Sequence, residues 1–164
     1  MYYRFGKAFY FLTVLLFIMF LLYFYSAMPD SLSYSFDDTG GAIDQISRNS
    51  FFYTMIGVFV ICNFLVLVPP KLLETKTHQG LNKIFPVGDD YRDYFLGWFY
   101  SFGGFLNLSL LIMVFFTHAT NGQDVIEASD FNFFYYLIPI LSLIWVFGLF
   151  IILFQKFKQL RVRS

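Results

Sequence analysis

The chain holds two histidines, His78 and His118, and one cysteine, Cys62. Two imidazoles on facing helices can grip a haem iron, and Cys, His and carboxylates at short spacing can hold zinc. Neither pattern is present. His78 lies in a polar connection and His118 at the far end of the apolar stretch that follows it, which sets them on opposite faces of a membrane crossed by that stretch. Cys62 sits inside another apolar stretch, where a thiol behaves as a small hydrophobe. No nucleophile–base pair, carboxylate cluster or phosphate-binding glycine loop can be assembled, so the expectation is no enzyme, no cofactor and no metal.

The remaining polar groups in the apolar stretches are amides and hydroxyls. Asn63 and Asn107 are expected to pair between helices, a contact of ~0.6 to 2 kcal/mol that fixes packing. Gly97, Ser101 and Gly104 recur at spacings of four and three and form a small-residue face that lets another backbone approach. The partner is a helix of this chain or of a neighbouring protein. A pump needs ionisable groups facing a bundle interior, and these stretches contain no Asp, Glu, Lys or Arg. Pro139 predicts a kink or a widened turn.

These side chains must be positioned by membrane helices. Residues 8–27, 51–68, 94–117 and 131–154 are free of charge, and roughly 20 apolar residues cross ~30 Å of hydrocarbon. Lipid offers backbone groups no partners, so each stretch must be a helix. The expected fold is an all-α membrane protein, one domain over 1–164, with four transmembrane helices in an antiparallel bundle. The first stretch is longer than the ~7–15 residues of a signal sequence, and Tyr25 stands where cleavage after Ala27 wants a small residue. It is expected to be a retained span.

Net charge is zero, yet the charges are segregated. Arg4, Lys7, Lys71, Lys76, Lys83, Arg92, Lys156, Lys158, Arg161 and Arg163 fall on one side of the proposed spans, and Arg48 alone on the other. The positive-inside bias places both termini and loop 69–93 in the cytoplasm. Loops 28–50 and 118–130 then face outward, with Asp30, Asp37, Asp38, Asp44, Asp124, Glu127 and Asp130. Basic residues 156–163 are expected to meet anionic lipid. The basic surface is too modest for nucleic acid. Tyr2, Tyr3, Tyr23, Tyr25, Tyr53, Tyr94, Trp98, Tyr135 and Tyr136 lie near span ends, where amphipathic rings favour the headgroup region.

The connections carry their own signals. Between Pro29 and Gly40-Gly41, Leu32, Tyr34 and Phe36 alternate with serines and predict one short extended segment. Asp44 and Ser47 before Arg48 predict a capped start to the second span. Pro69-Pro70 is expected to end that span abruptly. Asp89, Asp90 and Asp93 form an acidic first turn for the third. Asn121-Gly122 reads as a plain turn.

Met28-Pro29-Asp30, Leu32, Phe36, Gly40, Asp44, Ser47-Arg48 and Phe51-Phe52 resemble a bacterial membrane domain of unknown function. That domain also forms the amino-terminal part of SdpI-like immunity and signalling proteins. Where its pattern has a second proline and a histidine, this chain has Ser33 and Ser35. The resemblance implies a bacterial inner-membrane protein with an ordered outer loop, carrying Pro29, Asp30, Phe36, Gly40, Asp44 and Arg48; it implies no reaction.

Three expectations follow. The first is a non-catalytic accessory or structural subunit of a larger respiratory, secretion or motility assembly, its partners other integral membrane proteins and lipids, with Gly97, Ser101, Gly104, Asn63 and Asn107 as contact candidates. The second is an SdpI-like protein that binds a peptide through its acidic outer loop. The third is a small channel or permease lined by neutral residues.

Overall fold

The computed structural model describes residues 2–36, 42–75, 78–122 and 132–163. The elements are α1 (Tyr2–Ala27), β1 (Ser31–Phe36), β2 (Ala42–Ser47), α2 (Arg48–Glu74), α3 (Gln79–Ile84), α4 (Asp90–Asn121) and α5 (Asn132–Arg163). Helices α1, α2, α4 and α5 are long and apolar enough to cross a membrane.

Along α1, Gly6, Tyr10, Thr13, Phe17, Leu21 and Phe24 are buried. Their spacing of three and four puts them on one face, and that face meets α4. Tyr2 touches Tyr94, Tyr10 touches Tyr100 and Phe24 touches His118. The residue numbers rise together, so α1 and α4 run in the same direction. Helix α2 runs against both: its Phe59 stacks on Phe17 with ring centroids 4.5 Å apart, and its Asn63 meets Tyr10. Helix α5 also opposes α4, with Trp145 stacked on Phe105 and Lys156 bonded to Asp89. The start of α1 and the end of α5 therefore lie at one end of the described structure, and the β-strands at the other.

The outer surface is apolar. Leu12, Leu15, Phe64, Leu65, Phe147 and Phe154 are exposed. In hydrocarbon such side chains gain nothing by leaving the surface, so the helices are held by close packing and interhelical hydrogen bonds. Close packing reaches the backbone at Gly6, where an added Cβ would stand 2.8 Å from the Gly97 carbonyl oxygen. The two backbones touch there.

Helix α2 does not stop at Pro69-Pro70 but continues to Glu74. The prolines remove two N–H donors, which leaves the Leu65 and Val66 carbonyls without their usual partners. Tertiary contacts sustain the last turn nonetheless. Leu73 is buried with Phe85, Phe95 and Leu96. The Arg92 guanidinium donates to the Leu73 carbonyl at 2.7 Å and to the Phe85 carbonyl at 2.9 Å. One side chain thus closes the end of α2 and the end of α3. His78 caps α3, its Nδ1 accepting from the Leu81 N–H at 3.2 Å.

The outer loop holds two strands where the sequence predicts one extended segment. β1 and β2 pair antiparallel, with an irregularity near Ser35. Ser47 caps α2, its hydroxyl accepting from the Ser50 N–H at 3.1 Å.

Candidate functional site

The polar side chains of α1, α2 and α4 meet in a column between the helices. At its middle, Asn63 Nδ2 donates to Asn107 Oδ1 at 2.8 Å and to the Phe59 carbonyl at 2.8 Å. The Tyr10 hydroxyl donates to Asn63 Oδ1 at 2.8 Å. Asn107 Nδ2 reaches Thr13 Oγ1 at 3.5 Å, and the Thr13 hydroxyl donates to the Tyr10 carbonyl at 2.8 Å. Asn107 is fully buried. Both amides are needed because an unmatched buried donor costs far more than a matched pair gains.

Toward the terminal end the column becomes ionic. The Glu74 carboxylate accepts from the Tyr3 hydroxyl, from the Tyr100 hydroxyl at 3.1 Å and from Lys7 Nζ at 3.1 Å, with Lys71 on its other oxygen at 3.1 Å. Glu74 belongs to the turn that survives Pro69-Pro70, and it ties three helices at one point. Toward the hairpin end the column turns apolar. Phe17, Leu21, Phe24, Met55 and Val114 fill it, with Leu32 of β1 inserted as a plug. The arrangement is a packing core that is polar in one half and apolar in the other.

Hairpin and helices are fastened by two polar side chains, Arg48 and Asn121. Arg48 pairs with Asp30 at 2.8 Å and donates to the Met28 carbonyl at 3.0 Å, with its guanidinium over the Tyr25 ring. Asn121, expected as part of a plain turn, is the last residue of α4 and grips β1. The Ser33 N–H donates to its Oδ1 at 2.6 Å, and its Nδ2 donates to the Ser33 carbonyl at 2.9 Å.

The sequence candidates fall into three groups. Asn63 and Asn107 come together. Gly97 and Gly104 face α1 of this same chain, Gly104 against Phe9 and Thr13. Ser101 instead lines an open groove of about 510 Å³ between α1, α4 and α5, with Gly6, Gly97, Trp98 and Ile152. Of the outer-loop residues, Asp30 and Arg48 form the ion pair, Pro29 precedes the hairpin, Asp44 is exposed on β2 and Phe36 ends β1. Gly40, Asp37, Asp38, Asp124, Glu127 and Asp130 lie outside the described residues.

The residues missing from that candidate set are mostly charged. Lys156, expected to meet anionic lipid, is buried instead. Its ammonium pairs with Asp89, donates to Gln159 Oε1 at 2.9 Å and lies beside the Tyr91 and Phe85 rings. Asp89 uses its other oxygen to cap α4 through the Tyr91 N–H at 2.8 Å. A signal for the ionic knot does exist in the sequence: Tyr3, Lys7 and Tyr10 share one helical face, and Glu74 is the only acid between Pro69 and Gly88, a stretch that carries Lys71, Lys76 and Lys83.

Four apolar helices of spanning length make this a multi-pass membrane protein. Comparison with family models, curated proteins and solved structures finds no match to this chain.

Proposed function

We propose that this chain is a non-catalytic integral inner-membrane protein, an accessory or structural subunit of a larger membrane assembly. Its four helices form a bundle with both termini and the 69–93 connection in the cytoplasm. The observation that carries this reading is how the polar side chains are used. Asn63, Asn107, Tyr10, Thr13, Glu74, Lys7, Tyr3 and Tyr100 tie α1, α2 and α4 to one another, while α5 keeps its spanning segment outside that core. α5 is apolar all round and rests on α4 along one side only, through Trp145, Leu149 and Leu153, so the rest of its surface is available to neighbouring helices. Photo-crosslinkers placed in living cells at Phe147 and Phe150 of α5 test it. Adducts to one defined membrane protein are expected; adducts to lipid alone count against the reading.

A second reading is an SdpI-like protein that captures a peptide through the acidic outer loop. The firm seating of the hairpin by Leu32, Asn121 and Arg48 favours it, since a fixed loop loses little entropy on binding. Neutralising Asp30, Asp37, Asp38 and Asp44 together should abolish protection against a toxic peptide with expression unchanged. Intact protection would sink it.

A further inference from the structure

The two edges of the hairpin are treated differently by the fold. In an antiparallel pair, opposed residues alternate between exchanging hydrogen bonds and turning their peptide groups outward. The Arg48 N–H donates to the Asp30 carbonyl at 2.9 Å, which marks residues 30 and 48 as a hydrogen-bonded pair. With Ser31 opposite Ser47, Leu32 opposite Ile46 and Ser33 opposite Gln45, the next hydrogen-bonded pair is Leu32–Ile46. Ser33 therefore turns its N–H and C=O away from β2, and Asn121 accepts one and donates to the other. The Asn121 amide occupies the place of a third strand. The edge of β1 is closed at Ser33.

By the same alternation Gln45 turns its N–H and C=O, and Ser47 its N–H, away from β1. Among the described residues nothing bonds these groups. Ile43, Asp44, Gln45 and Ser47 are exposed along this edge. An unpaired edge is a template for another strand, and proteins usually blunt one with lysine, proline or a cover. β2 has neither lysine nor proline. The 28–50 segment carries four aspartates against Arg48, and Arg48 is already paired with Asp30.

We infer that the outer edge of β2 is a binding site for an extended, basic polypeptide segment, which adds to the hairpin as a third strand. Backbone groups of Gln45 and Ser47 supply the pairing, and the exposed Asp44 carboxylate on the same strand selects lysine or arginine side chains. This rests on the second reading above and adds to it the position and mode of capture. Because Leu32, Asn121 and Arg48 hold the hairpin on the helix ends, the edge is preorganised.

The test uses the full chain in lipid nanodiscs and a fluorescent peptide of alternating lysine and valine. Two control peptides are a twin with its pairing amides N-methylated and an alternating glutamate–valine chain. Saturable binding of the lysine peptide is expected, with about tenfold loss on N-methylation, the effect of one or two peptide hydrogen bonds. Gln45→Pro should weaken binding similarly, because the Gln45 N–H plays no part in the ladder to β1. The glutamate peptide should not bind. Equal binding of the N-methylated twin overturns strand addition and leaves peptide capture by the acidic loop standing. No binding of the lysine peptide overturns both.

Discussion

Replacing both interhelical asparagines by leucine provides a quantitative test of the column. Asn63 makes two interhelical hydrogen bonds, one from the Tyr10 hydroxyl and one to Asn107, both 2.8 Å. Asn107 makes the shared bond and a stretched one to Thr13 at 3.5 Å. Interhelical bonds in membranes average ~0.6 kcal/mol and reach ~1.7. Asn63→Leu should then cost about 1–3 kcal/mol and Asn107→Leu about 1, in that order. The double variant should cost less than the two single losses added, by the ~0.6–1.7 kcal/mol of the bond that both remove. Equilibrium unfolding in mixed micelles, followed by helicity, supplies the four free energies of the cycle. Additivity to within about 0.3 kcal/mol would refute the shared bond, and a larger loss at Asn107 than at Asn63 would refute the assignment of Tyr10 to Asn63.

Other contacts yield their own expectations. Gly6→Ala puts a methyl 2.8 Å from the Gly97 carbonyl oxygen and should cost about 1–3 kcal/mol through forced separation of α1 and α4, read as lowered thermal stability in detergent; an unchanged midpoint would contradict the backbone contact. Lys156→Met leaves the Asp89 carboxylate, itself nearly buried, without its cation and should cost about 3–5 kcal/mol. Adding Asp89→Asn, which keeps the cap on α4, should restore most of that loss, and proteolysis of α5 reports both steps. Asn121→Ala should raise hydrogen exchange at the Ser33 amide while the helices keep their protection; unchanged exchange would mean the clasp is not holding β1.

Much of the helical architecture was legible because its cause is local. Charge-free stretches of spanning length admit only helices in lipid, and Ser47 ahead of Arg48 marks the start of α2 by ordinary capping chemistry. What escaped depends on contacts between distant residues. Pro69-Pro70 carries a strong stop signal, yet packing of Leu73 and the Arg92 bonds hold one more turn of α2. β2 contains Ala42 and Asp44, poor strand formers by propensity, and exists because β1 lies beside it. Lys156 belongs by composition to a basic tail, but Asp89, far away in sequence, draws it inside. The Asn63–Asn107 pairing was within reach of reasoning because few polar groups lie in the spans. Asn121 was not, since its two bonds go to backbone atoms of Ser33, which leave no trace in side-chain identity.

The central claim, membership in a larger membrane assembly, is tested most directly by gentle detergent extraction of a tagged copy expressed at its natural level, followed by native gel and mass spectrometry. The account predicts a large species that contains this chain and other integral membrane proteins in fixed ratio. A lone chain, or copies of this chain only, would contradict it.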